Sequence, residues 1–295
     1  MLRIILLLAT NFAVLLLASI VLSLLGVGPW LDAHGINFGP LLIVGALIGF
    51  GGAFFSLAIS KWIAKRTLGV QVITTPQNET EAWLVATVTR EATAAGIRTP
   101  EIGIFESPEP NAFATGARRD ASLVAVSTGL LARMGRPQAE AVLGHEVTHV
   151  ANGDMVTLTL IQGVVNTFVF VLSRVIGNLV DKFILRNDGE NRGPGIGFFV
   201  STLVAQVFLS FLASMIVMWF SRRREFRADA GGARLGSRDG MIGALETLKR
   251  VQNEGLPEQL QAFGIAGPDR VSGLKKLFMS HPPLDERIQA LRQGV

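Results

Sequence analysis

Two histidines four positions apart, His145 and His149, enclose Glu146 in the run His145-Glu146-Val147-Thr148-His149. Pro137 opens a helix over this run, and Asn152-Gly153 offers it a left-handed stop. Residues four apart share a helix face, so both imidazoles can reach one ion. Neutral imidazole suits Zn²⁺, and a catalytic zinc takes three protein ligands and keeps a fourth position for water. Glu146, beside the first histidine, can reach that water as a general base without being a ligand. Only four histidines exist in the chain (His34, His145, His149 and His281), and there is no cysteine. Thiolate ligands, disulfides and a cysteine nucleophile are excluded together. His34 stands alone in a loop and carries no expected role.

A third ligand has to come from elsewhere in the chain. Glu225-Phe226-Arg227-Ala228-Asp229 supplies two carboxylates at i and i+4. One of the pair would bind the ion while the other accepts an N–H from a ligand histidine. The plainer alternative is a surface helix whose acids pair with Arg222, Arg223 and Arg227.

The elements that position these residues are set by hydropathy. Of 295 residues, 49% are hydrophobic and 17% charged, with mean hydropathy +0.43. A soluble domain carries about 25% charged residues, and a disordered chain needs low hydrophobicity, so neither class fits. A bilayer core about 30 Å thick takes roughly 20 apolar helical residues. Four segments meet that length: Ile4–Val27, Pro40–Ser60, Met155–Val180 and Ile196–Phe220. The first is too long in its apolar core for a signal peptide and reads as an anchor. The third carries a polar face of Thr159, Gln162, Asn166 and Ser173 with Arg174 at its margin. Hydrogen-bonding between helices accounts for that face better than a wet substrate path does. Gly45 and Gly49 read as a close helix contact.

Arg3, then Lys61, Lys65 and Arg66, then Arg222, Arg223, Arg224 and Arg227 flank spans one, two and four, while the loop Gly28–Gly39 has no Lys or Arg. This asymmetry puts both termini in the cytoplasm. The expected organisation is residues 1–66 as two spans, 67–154 as the first half of a cytoplasmic domain, 155–220 as two more spans, and 221–295 as its second half. The histidine helix ends just before span three and Glu225 follows span four, so two crossings return the chain to the side it left. In the first half, Asn78 with Glu81 caps a helix to about Ala95, and Glu101–Glu106 and Ser122–Ser127 alternate as strands. The second half reads as helical, with punctuation around Gly255–Gly267. A net charge of +4 with the basic residues beside apolar runs leaves no nucleic-acid patch.

The motif His145-Glu-x-x-His149 with Glu225-x-x-x-Asp229, set among four spans, resembles the membrane-bound M48 zinc metalloproteases. The stretches Asn111–Leu130, Asn152-Gly-Asp-Met155 and Ser280-His-Pro-Pro-Leu-Asp-Glu-Arg287 extend the resemblance over essentially the whole chain. It implies an α-helical multi-pass membrane protein with a cytoplasmic α+β, zincin-like protease domain. It further implies one Zn²⁺ per chain held by His145, His149 and Glu225, Glu146 as base, and Asp229 orienting a ligand histidine. His281 and Arg287 match the H-P-x-x-x-x-R segment that stabilises the tetrahedral intermediate; the start of a last helix at His281 is the alternative. Asn111 would begin an edge segment holding substrate backbone, with a polar turn after Pro108 and Pro110 as its plainer reading. The implied substrates are misfolded or damaged membrane proteins of the bacterial cytoplasmic (inner) membrane, cut on the cytoplasmic side in the envelope stress response. Two rivals stand beside this. One is a site-selective processing peptidase like the family's prenyl-protein members, which have more spans. The other is a non-catalytic holdase or scaffold with a structural zinc, which would need four protein ligands.

Overall fold

The computed structural model describes residues 37–185, 195–254 and 281–294. The expected span Ile4–Val27, His34 and the segment Gly255–Gly267 lie outside the described residues. The chain divides into two compact units, one from Met1–Ser56 with Thr157–Val217 and one from Leu57–Val156 with Met218–Val295.

In the first unit the elements are the apolar lengths of three helices: α1 (Phe38–Thr67), α5 (Asp154–Leu179) and α6 (Ile196–Leu235). Among the described residues, three helices are long and apolar enough to cross a membrane: Phe38–Thr67, Asp154–Ile184 and Ile196–Leu235. All three outrun the apolar lengths read from sequence, the first and third by seven residues or more at the C-terminal end. Lys, Arg, Glu and Ala after Ser60 and Phe220 are good helix formers, so the backbone keeps its geometry where the hydropathy stops. A Cβ on Gly49 would lie 2.7 Å from the Thr167 nitrogen and 2.8 Å from the Gly163 oxygen, so this glycine does mark a close helix contact. On the polar face of α5, the bonds made by Gln162 and Arg174 run along the helix. Gln162 donates to Asn166 at 2.7 Å, and Arg174 donates to the Phe170 carbonyl at 3.1 Å. These bonds stay inside α5 because residues three or four apart already meet on one helix.

The second unit is α+β. A four-stranded sheet has the order β1-β2-β4-β3, from β1 (Gln71–Val72), β2 (Glu101–Phe105), β3 (Ala112–Thr115) and β4 (Leu123–Ser127). β2 and β4 run parallel, and β1 and β3 pair antiparallel at the two edges. Every residue of β4 is buried, as a central Leu-Val-Ala-Val strand requires. Helix α2 (Glu79–Ala94) is capped by the Asn78 side chain, which accepts from the Glu81 N–H at 2.9 Å. Glu81 reaches back one residue further than a simple capping box, accepting from the Gln77 N–H. Short α3 (Thr128–Arg133) leads into α4 (Arg136–Asn152), which ends at Gly153 with φ 70°. Leu84 and Val88 of α2, Ile102, Val124 and Val126 of the sheet, and Leu143, Val147 and Val150 of α4 form the main core. A second cluster joins Ala141 of α4 to Met241 and Leu245 of α7 (Arg238–Glu254) and to Leu284, Ile288 and Leu291 of α8 (Leu284–Gln293). The core therefore holds α4 from both sides, by the sheet and by the C-terminal helices.

Candidate metal centre

α4 carries His145 and His149, and the lower part of α6 carries Glu225 and Asp229. Glycine lets the two helices approach. A Cβ on Gly232 would lie 2.5 Å from the Ala141 oxygen and 3.0 Å from the His145 nitrogen, and one on Gly231 would strike the Thr148 side chain at 2.1 Å. The carboxylates one and two turns earlier on α6 are thereby brought against the histidines.

His145, His149 and Glu225 are buried, and each offers a ligand atom within 4.8 Å of the other two. The two Nε2 atoms are 3.1 Å apart, and Glu225 places Oε2 3.5 Å from that of His145 and Oε1 3.5 Å from that of His149. Ligands about 2.0–2.1 Å from a tetrahedral zinc stand roughly 3.4 Å from one another, so the spacing fits. Oε1 of Glu225 is buried and accepts no hydrogen bond among the described residues. A buried carboxylate that sets one oxygen against each of two imidazole nitrogens, the Oε1 facing His149 being orphaned, is the donor set of a cation site.

The outer nitrogens are held in turn. Nδ1 of His149 donates to Asp154 Oδ2 at 2.6 Å. Nδ1 of His145 lies 2.9 Å from Asp229 Oδ1, within ion-pair distance though off the line of an ideal ring N–H bond. Arg287 is buried and grips Asp229 through both edges, Nε to Oδ2 at 2.7 Å and Nη2 to Oδ1 at 2.6 Å. His281, whose side chain is 59% exposed, donates from Nδ1 to Glu225 Oε2 at 2.8 Å.

The electrostatics favour a positive charge at the centre. Burial works against protonating His145, yet the hydrogen bonds of Asp229 and Glu225, with the Glu146 charge behind them, push its pKa up to about 9. Burial likewise opposes ionising Glu225, and hydrogen bonds from His145 and His281 overcome it and hold the carboxyl far below the usual range. Asp229 is lowered against its burial by Arg287 and His145. Arg287 is raised against its own burial by Asp229, with Glu225 and Glu146 contributing.

Of the expected site residues, His145, His149, Glu225, Asp229, His281 and Arg287 meet in this cluster, and Glu146 follows His145 on α4. Asn111 lies at the entry to edge strand β3, exposed, its backbone N–H donating to the Ser127 hydroxyl at 2.9 Å. Arg287 gives Nε and Nη2 to Asp229, a buried carboxylate that needs a counter-charge. Sequence reasoning missed Asp154. Its signal was an acid directly after the helix-stopping Gly153, where a left-handed turn folds the next side chain back toward the last turn.

A buried His-Glu-x-x-His helix facing a carboxylate from a second helix, in an α+β unit attached to apolar membrane-length helices, defines a membrane-embedded zinc metallopeptidase. The model of Peptidase family M48 matches residues 78–295, and the chain belongs to that family. Protease HtpX of Nitrosococcus oceani is 61% identical over 292 residues, covering 98% of both chains. A Protease HtpX homolog of Thiobacillus denitrificans is 60% identical over 290 residues with the same coverage of 98% on each side. Among solved structures, the crystal structure of S. mikatae Ste24p matches with TM-score 0.61 at 20% identity, over 95% of this chain and 67% of that one. That likeness is one of fold.

Proposed function

We propose that the protein is a zinc endopeptidase cutting the cytoplasmic segments of misfolded or damaged membrane proteins, as part of envelope stress control in the bacterial inner membrane. The observation that carries this is the buried triad His145, His149 and Glu225 with Glu146 in the same helical turn. Held by His145, His149 and Glu225, a zinc ion would supply Lewis acidity toward the scissile carbonyl and a more acidic water. Glu146 takes the proton of the attacking water and returns it to the leaving amine. His281, exposed beside Glu225, donates to the developing oxyanion. Asp229 and Asp154 fix the tautomers of His145 and His149. Arg287 acts through Asp229 as a positioning residue rather than by touching substrate. Strand β3, beginning after Asn111, takes the substrate backbone as an added strand at the sheet edge.

In this reading Ile4–Val27 is a fourth span, residues 67–154 and 221–295 form one cytoplasmic protease domain, and both termini face the cytoplasm. The positive flanks of Lys61, Lys65, Arg66 and Arg222–Arg224 support it. A holdase with a structural zinc would need a fourth protein ligand, and the described cluster offers three. The test is reconstitution into vesicles with a destabilised membrane protein tagged on each side. Loss of the cytoplasmic tag with wild type and its retention with Glu146→Gln is expected. Cleavage confined to the opposite side, or retention of every tag, contradicts the proposal.

A further inference from the structure

Three elements carry the centre to the level where exposed apolar surface gives way to charge. On α6 the exposed Trp219 and Phe220 are followed by Arg222, Arg223 and Arg224, with Arg223 seated over the Trp219 ring at 4.7 Å. Glu225 comes five residues after Phe220 on the same unbroken helix, an axial distance of about 7.5 Å. On the second element, Asp154, which holds His149, is the first residue of membrane-length α5. The third is α1, where Trp62 is 64% exposed just before Lys65 and Arg66. Two residues before Trp62, Ser60 of α1 accepts a hydrogen bond from Thr115 at the end of edge strand β3, 3.0 Å long. Lys61 and Lys65 also pair with Glu101 at the start of β2. Sheet edge and metal ligands thus lie beside the apolar-to-basic boundary of the same unit.

The polar headgroup layer adds roughly 5–7 Å to each side of the hydrocarbon core. A centre about 7.5 Å beyond the last apolar residue lies at its outer border, and an extended chain climbs that far in about two to three residues. We propose that the centre works at headgroup depth and prefers peptide bonds within about five residues of a substrate's membrane-spanning segment. This rests on the protease reading and adds to it a positional rule: the substrate is the juxtamembrane stretch, whatever its sequence. A bond further along a flexible tail reaches the centre only by looping back, at an effective concentration that falls with roughly the −3/2 power of tail length.

The test uses zinc-loaded full-length protein in phospholipid vesicles. A single-span substrate carries a Gly/Ser tail with one candidate cleavable segment, taken from denatured casein, which is also offered free in solution. The segment starts about 3, 8, 15 or 25 residues from the span. Cleavage is expected to be fastest at the shortest spacing and to fall roughly tenfold or more by the longest. Equal rates, a maximum at the longer spacings, or casein cut in solution with no tethered substrate cut would each overturn the proposal. If free casein is not cut either, the protease reading fails and this one with it. A second readout needs no activity. The chain lacks cysteine, so a nitroxide at exposed Arg223→Cys, about 4.5 Å along the helix from Phe220, is the sole label. Lipid-headgroup depth is expected for it, and solvent accessibility equal to that of a nitroxide at Arg90→Cys overturns the proposal.

Discussion

Each ligand histidine in this centre shows one ring nitrogen to Glu225 and the other to a carboxylate of its own, Asp229 for His145 and Asp154 for His149. A carboxylate on the outer nitrogen fixes the tautomer and makes the inner nitrogen a better donor to metal, which is worth about 10–100-fold in affinity. Asp154→Asn and Asp229→Asn are therefore expected to weaken zinc binding by about that factor in competition with a chelator; unchanged affinity contradicts the assigned roles. Arg287 is the counter-charge that lets Asp229 stay ionised while buried. Arg287→Met leaves that charge unpaired, with an expected cost of about 3–5 kcal/mol, read as a lower unfolding temperature; a neutral result means Asp229 has another partner. The His145–His149 spacing was legible because the helical repeat alone puts both on one face. Arg287 was legible as part of the site and not in its partner, since the bond to Asp229 joins residues 58 positions apart. Asp154 was hidden by the chain reversal at Gly153, a contact that helical spacing does not anticipate.

At the scale of elements, the site depends on how closely α6 can lie on α4. Gly232→Ala puts a methyl 2.5 Å from the Ala141 oxygen and is expected to part the helices. Bound zinc should be lost with the secondary structure kept, checked by metal analysis and circular dichroism; full zinc content would show that the helices can yield. Helix α2 carries a different tension. Glu91 is buried with neither carboxylate oxygen partnered among the described residues, and burial pushes its pKa up to about 8, Arg90 opposing and Glu140 adding. The folded chain thus keeps a proton that the unfolded chain releases above its ordinary value of 4.5. Stability then falls as pH rises from that value to about 8, at up to about 1.4 kcal/mol per pH unit, and levels off above it. Glu91→Gln is expected to remove this slope when unfolding temperatures are compared between pH 5.5 and 8.5, whatever other groups titrate; parallel curves for variant and wild type contradict it. The cap at Asn78 and the stop at Gly153 were readable from residue type. The two-residue strand β1 was not, because so short a run has no alternation to read and is held by pairing with β2.

At the scale of the whole molecule, zinc is expected to act as a stabilising ligand. Binding to the folded chain alone adds about 2.7 kcal/mol at a free concentration a hundred times the dissociation constant. The unfolding temperature of the wild type should rise with zinc and that of Glu225→Gln should not; equal rises in both would move the metal away from this centre. Apolar lengths and Lys/Arg flanks were enough to anticipate the membrane character, since bilayer thickness acts on sequence directly. The lengths of the helices were harder to read: α6 runs from Ile196 to Leu235 without a break, because no helix-breaking residue marks where apolar side chains yield to arginines. That continuity joins a membrane helix to Glu225 and Asp229. The central claim is that this joined centre is a working zinc peptidase with Glu146 as its base. The most direct measurement is turnover of an unfolded protein together with bound zinc, for wild type and Glu146→Gln purified and loaded alike. Equal zinc near one per chain with turnover only in the wild type is the predicted result. Turnover by Glu146→Gln close to that of the wild type, or zinc-loaded wild type that cuts nothing, would contradict it.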